Sequence, residues 1–97
     1  MNEQIINILR ECGYPEWMFD NLISKLQKLS PKIRKHFDKW IIDRGEPNID
    51  VEGYSFSSLI KDYEMTPINA FITLNWLALN PDEAKLALQE VLDEIRK

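Results

Sequence analysis

Apolar residues recur along most of this chain at three- and four-residue intervals, the period of a helix that buries one face. Ile5, Ile8, Leu9 and Cys12 form a first stripe, ended at Gly13. Met18, Phe19, Leu22, Ile23, Leu26 and Leu29 form a second, wider one, and Ile33, Phe37, Trp40 and Ile41 a third, with Gly45 as its expected C-terminal cap. Between residues 46 and 54 the period breaks. Ile49 and Val51 alternate with polar neighbours there, but no partner strand is evident, so the stretch reads as a loop. Ser55 opens a short helix carrying Leu59, Ile60 and Tyr63. Residues 67 to 79 are apolar nearly all round, leaving a narrow polar strip of Asn69, Thr73 and the Trp76 indole nitrogen, which marks that helix as central. Ala84, Leu88, Val91 and Ile95 line the last helix, with Leu92 beside them and Asp93 spaced to pair with Lys97.

Proline sharpens the helix starts. Tyr14-Pro15, Ser30-Pro31, Thr66-Pro67 and Asn80-Pro81 each place a proline where a first helical turn needs no N–H donor. Ser30, Thr66 and Asn80 can also accept from a free backbone N–H, and Asn80 with Glu83 has the spacing of a reciprocal capping box. The expected fold is all-α: a bundle of five to six short helices, with a helix-turn-helix-like pair in its C-terminal half. The 97 residues suit a single domain spanning 1–97, since halves divided at the loop would each be too small for a core of their own.

Composition narrows the setting. A single Cys12 excludes an internal disulfide and suits a reducing cytoplasm, and the chain has neither a basic N-terminal region nor an apolar run of membrane-spanning length. No membrane partner is expected. Charge is uneven: residues 25 to 44 carry Lys25, Lys28, Lys32, Arg34, Lys35, Lys39 and Arg44 against Asp38 and Asp43, a net +5, while the rest of the chain carries −9, giving the formal −4. Lys28, Lys32, Lys35 and Lys39 recur at four, three and four residues, so on one continuous helix they form a stripe able to meet phosphates or an acidic partner. The plainer role of such a stripe is a solvated helix face.

Catalytic chemistry is absent from the pattern. His36, the only histidine, sits among Arg34, Lys35 and Lys39 rather than beside an acid–base partner, and Cys12 lies on an apolar stripe. Glu16 and Asp20 complement a helix start more readily than they bind a cation. There is no metal-binding set of Cys and His and no Gly-rich phosphate loop, so no enzyme, metal or cofactor is expected.

Residues 55 to 77 follow a helix-turn-helix pattern, in which the second helix would read DNA in the major groove through Asn69 and Thr73. Two departures stand against it. Glu64 occupies the turn position usually given to glycine, and the reading helix holds no Lys or Arg. From residue 45 onward there are 4 basic and 10 acidic residues, which repels a duplex. Most of the aromatics are expected in the core. Trp17 is the exception to watch, because its helix already has Phe19, Leu22, Ile23 and Leu26 to bury; left exposed near Tyr14, it would anchor a protein partner.

The leading expectation is therefore a small non-enzymatic module that binds another protein or itself, through Tyr14, Trp17, Lys28, Lys32, Lys35 and Lys39. The alternative is a DNA-binding regulator in which Lys32 and Lys35 hold phosphates and Asn69 and Thr73 touch bases. A third reading, an acidic mimic of nucleic acid, would use Glu46, Asp50, Glu52, Asp62 and Glu64.

Overall fold

The computed structural model describes residues 2–97. Six α-helices are present among them: α1 (Asn2–Glu11), α2 (Phe19–Gln27), α3 (Pro31–Asp43), α4 (Phe56–Lys61), α5 (Pro67–Leu79) and α6 (Pro81–Ile95). A 3₁₀ turn at Glu16–Met18 precedes α2, and a two-stranded hairpin, β1 (Asp50–Val51) and β2 (Tyr54–Ser55), precedes α4.

The nearly all-apolar helix α5 is the centre, as its composition requires. It packs against α2, α3, α4, α6 and β1. Ile68, Ala70, Phe71, Thr73, Leu74 and Leu77 are buried along it. Its Phe71 ring meets Phe37 of α3, Trp40 of α3 and Phe56 of α4, with centroids 5.2, 5.5 and 5.0 Å away. The buried side chains of all six helices join in one cluster around it.

Local chemistry explains the boundaries, with some departures from the sequence reading. Thr66 caps α5 by accepting from the Asn69 N–H at 3.2 Å. Asn80 makes no cap bond with its side chain, so the expected box with Glu83 does not form. The reciprocal box lies instead at the start of α4, where Ser58 N donates to Ser55 Oγ at 3.1 Å and Ser55 N donates to Ser58 Oγ at 3.3 Å. Ser55→Ala is expected to lower stability by about 1 kcal/mol, read as the midpoint of urea unfolding. Ser30 does not cap α3 either. Its own N–H is bonded across the core by Asn75 Oδ1 at 2.8 Å, so the half-buried amide of α5 is satisfied. Gly45 is not the terminator of α3: Arg44 takes the left-handed conformation with φ 56°. Asp93 does not reach Lys97, which pairs with Glu94 at 3.0 Å.

The stretch from 46 to 54 is more ordered than a loop. Asp50 pairs with Ser55 and Val51 with Tyr54, across a two-residue turn in which Glu52 and Gly53 have φ of 53° and 85°. Positive φ at both central residues matches the twist of the flanking strands. Burial of Ile49 and the ion pair between Glu52 and Lys85 of α6, at 3.1 Å, hold the hairpin against the bundle.

Candidate protein-binding surface

The chain leaves α1 through Gly13, whose φ of 87° suits a residue without Cβ, and passes Pro15 in extended conformation. Three residues per turn then separate successive side chains by a third of a circle. With Phe19 buried and Met18 packed against the core, Trp17 is turned outward and is 82 % exposed. Arg10 braces this turn: its guanidinium donates to Glu16 at 3.2 Å and lies 5.8 Å above the Phe19 ring. Tyr14 does not join Trp17 on the surface. It is half-buried, and its hydroxyl is hydrogen-bonded to Thr66 Oγ1, tying the turn to the start of α5.

The lysine stripe divides. Lys28 lies beyond the end of α2 and outside α3, whereas Lys32, Lys35 and Lys39 share α3 at three- and four-residue spacing. All four are exposed, and none forms an ion pair among the described residues. Where residues 45–48 fold back beside α3 they leave an open cleft of 470 Å³, walled by Lys35, His36 and Lys39, with Trp40 and Pro47 as its apolar part and Glu46 opposite. The Arg44 guanidinium lies 5.0 Å above the Trp40 ring and donates to Glu11 at 2.9 Å, joining this end of α3 to the end of α1. The cleft was illegible in the sequence because the path of residues 45–48 depends on the hairpin beyond them.

The two base-reading candidates of the DNA reading differ in exposure. Asn69 is exposed, but Thr73 is 6 % exposed and its hydroxyl donates to Met65 Sδ at 3.6 Å, so the polar strip of α5 does not present Thr73 to a ligand. Glu64 adopts the left-handed conformation, φ 56°, at the position where helix-turn-helix units place glycine. Of the acidic residues, Glu46 lines the cleft, Glu52 is paired with Lys85, Asp50 accepts from the Gly53 N–H at 3.2 Å, and Asp62 and Glu64 flank Tyr63 between α4 and α5.

Cys12 is half-buried against the core. Burial pushes its thiol above the ordinary range, aided by the nearby Glu11 carboxylate. Less thiolate means a slower nucleophile. Cys12 is expected to react with a disulfide reagent at pH 8 more slowly in the folded protein than in urea. Because the folded state holds the proton to higher pH than the unfolded state, stability falls as pH rises past the ordinary thiol value. Cys12→Ala should flatten that alkaline decline in urea-unfolding measurements. Tyr63 acts in the same direction at higher pH, through burial and its neighbour Tyr54.

Among the described residues no three His, Cys, Asp or Glu side chains gather as metal ligands, and no helix is long and apolar enough to cross a membrane. No protein-family model, curated protein or solved structure matches this chain.

Proposed function

We propose that this chain is a small non-catalytic protein-binding module, a regulator, adaptor or inhibitor, working through a charged and aromatic helical surface. The observation that carries this reading is Trp17, 82 % exposed on a turn that is itself held by an ion pair. Leaving a large apolar ring in water forgoes roughly 1.5–3 kcal/mol of burial, and tryptophan is among the residues most enriched where partners bind tightly. Tyr14 contributes by supporting the turn from within. Lys32, Lys35 and Lys39, without ion-pair partners among the described residues, add a cationic face that steers an acidic partner.

The test is a comparison of tagged wild-type and Trp17→Ala protein as baits in a native lysate, with recovered proteins identified by mass spectrometry. A partner recovered by the wild type and depleted at least about tenfold by the substitution, the equivalent of 1.4 kcal/mol, supports the reading. Equal recovery by both baits, or no partner together with a strict monomer in solution, would overturn it.

The helix-turn-helix alternative draws support from Glu64, whose left-handed backbone gives α4 and α5 the turn such motifs use. Burial of Thr73 and the packing of α5 against five other elements oppose it. Fluorescence anisotropy with labelled duplex and single-stranded DNA at ~50 and ~200 mM salt separates the two readings, because phosphate binding weakens steeply with salt. No binding at the lower salt is the expected result.

A further inference from the structure

We infer that the outer face of α3 in one copy of this chain docks antiparallel on the outer face of α6 in another. This deepens the protein-binding reading by giving its cationic face a partner, and it does not involve Trp17.

Each of the two helices turns one ridge away from the core. At 3.6 residues per turn, Lys35, Lys39 and Ile42 lie opposite the buried Ile33, Phe37 and Trp40 of α3, and Leu86, Glu90 and Asp93 lie opposite the buried Ala84 and Leu88 of α6. All six ridge residues are exposed, Ile42 at 80 % and Leu86 at 67 %. Each ridge holds two like charges and one large aliphatic residue, spaced by four and three positions, and the charges on the two ridges have opposite sign. Both ridges span about 10 Å at 1.5 Å per residue, and ridges of this spacing are the surfaces by which helices pack. Laid antiparallel, Lys35 meets Asp93, Lys39 meets Glu90 and Ile42 meets Leu86. Laid parallel, Lys35 would face Leu86 and Ile42 would face Asp93, leaving one charge pair and no apolar contact. Complementarity therefore selects the antiparallel register.

These charges are open to a partner. Lys35, Lys39, Glu90 and Asp93 form no ion pair among the described residues. Opposite charges near them on their own helices are engaged elsewhere: Asp38 with Arg34 at 3.0 Å, Lys85 with Glu52 at 3.1 Å, and Lys97 with Glu94 at 3.0 Å. Asp43 and Glu46 share the cleft with Lys35 and Lys39 but pair with neither. Asp93 accepts from the neutral Gln89 amide at 3.1 Å, which leaves its charge uncompensated. The helices as a whole agree in sign with their ridges: α3 has four basic residues against two acidic, a net +2, and α6 five acidic against one basic, a net −4.

Three facing pairs cover far less than the roughly 1,200–2,000 Å² of a stable interface, and exposed ion pairs are individually weak. The association is accordingly weak and salt-sensitive. Because the two ridges differ, the contact is heterologous: a two-fold pair satisfies both ridges of each copy, and any other arrangement grows with concentration.

Sedimentation equilibrium of the full-length protein tests this at concentrations up to about 1 mM, the Kd range in which weak association is seen. Four proteins are compared: wild type; Lys35→Glu with Lys39→Glu; Glu90→Lys with Asp93→Lys; and all four substitutions together, which reverse both ridges and keep the formal net charge of −4. Circular dichroism checks that each is folded. The wild type is expected to associate less at ~200 than at ~50 mM salt. Each double variant, with like charges facing one another, should associate at least about tenfold more weakly. The fourfold variant should recover wild-type association, and so should an equimolar mixture of the two double variants, in which every α3–α6 contact between unlike copies is attractive. Recovery at unchanged net charge separates a specific contact from general repulsion. A monomeric wild type, undiminished association of either double variant, or no recovery in the fourfold variant and the mixture overturns the proposal. A monomeric wild type would leave the protein-binding reading standing on the Trp17 lysate comparison, so the two can fail separately.

Discussion

Phe71→Ala is expected to cost about 3–5 kcal/mol of folding stability, the range for emptying an aromatic site in a core. A domain of this size has about 5–15 kcal/mol in total, so the variant should lose a large share of its stability and unfold at a much lower urea concentration. Phe71 is fully buried, and its ring is the common neighbour of Phe37, Trp40 and Phe56. Those three come from α3 and α4, so removal of one ring loosens the contacts that hold both helices to α5. Phe71→Leu keeps much of the volume and should retain more of the stability. Urea unfolding followed by circular dichroism makes the comparison; a loss below about 1 kcal/mol for the alanine variant would mean that the site collapses freely and is not the centre of the core.

Asn75→Ala should produce the next largest loss, about 1–3 kcal/mol, because it strands a backbone donor rather than emptying a large space. The Asn75 side chain accepts the Ser30 N–H at 2.8 Å across 45 residues of sequence, joining the α2–α3 connection to the central helix. Asn75→Asp keeps the accepting oxygen and should preserve most of the stability. For a domain of this length each kcal/mol lowers Tm by about 4–8 °C, so thermal unfolding separates the two variants. Equal destabilisation by alanine and aspartate would show that the hydrogen bond contributes little beyond the shape of the side chain.

What could be read before folding and what could not divide along physical lines. Apolar periodicity is a local record of burial, and it located every helix, including α5 as the central one. Proline marked the start of α3, α5 and α6, because a missing N–H can be tolerated there whatever the helix packs against. At Tyr14-Pro15 the same signal was followed by a 3₁₀ turn, and α2 began only at Phe19. Side-chain caps were less legible. Ser30 and Asn80 have suitable chemistry, but whether an oxygen turns toward the free N–H depends on packing, and at Ser30 the bond with Asn75 involves the backbone instead.

The hairpin is hidden in the sequence for a different reason: Glu52-Gly53 lacks the Asn or Asp that usually announces a two-residue turn, and each strand has only two residues. On the surface, Trp17 stands out in the sequence because the helix after it already has a full apolar face. Lys28 lines up with Lys32, Lys35 and Lys39 only on a helix running through Ser30-Pro31, where α3 instead begins afresh. The helical spacing puts Thr73 on a polar strip, but its hydroxyl donates to a sulfur and the side chain is buried. The cleft beside Lys35 and Lys39 requires two segments to meet, and no local pattern records that.

The place of α5 late in the chain also bears on the order of events as the polypeptide is made. α2 and α3 pack on a helix that begins at Pro67, and Tyr14 reaches forward 52 positions to Thr66. At roughly 5–20 residues per second, the first three helices emerge several seconds before the surface they are built to cover. During that interval their apolar faces have only one another, and the nascent chain is exposed to aggregation and to capture by chaperones until α5 has emerged in its turn.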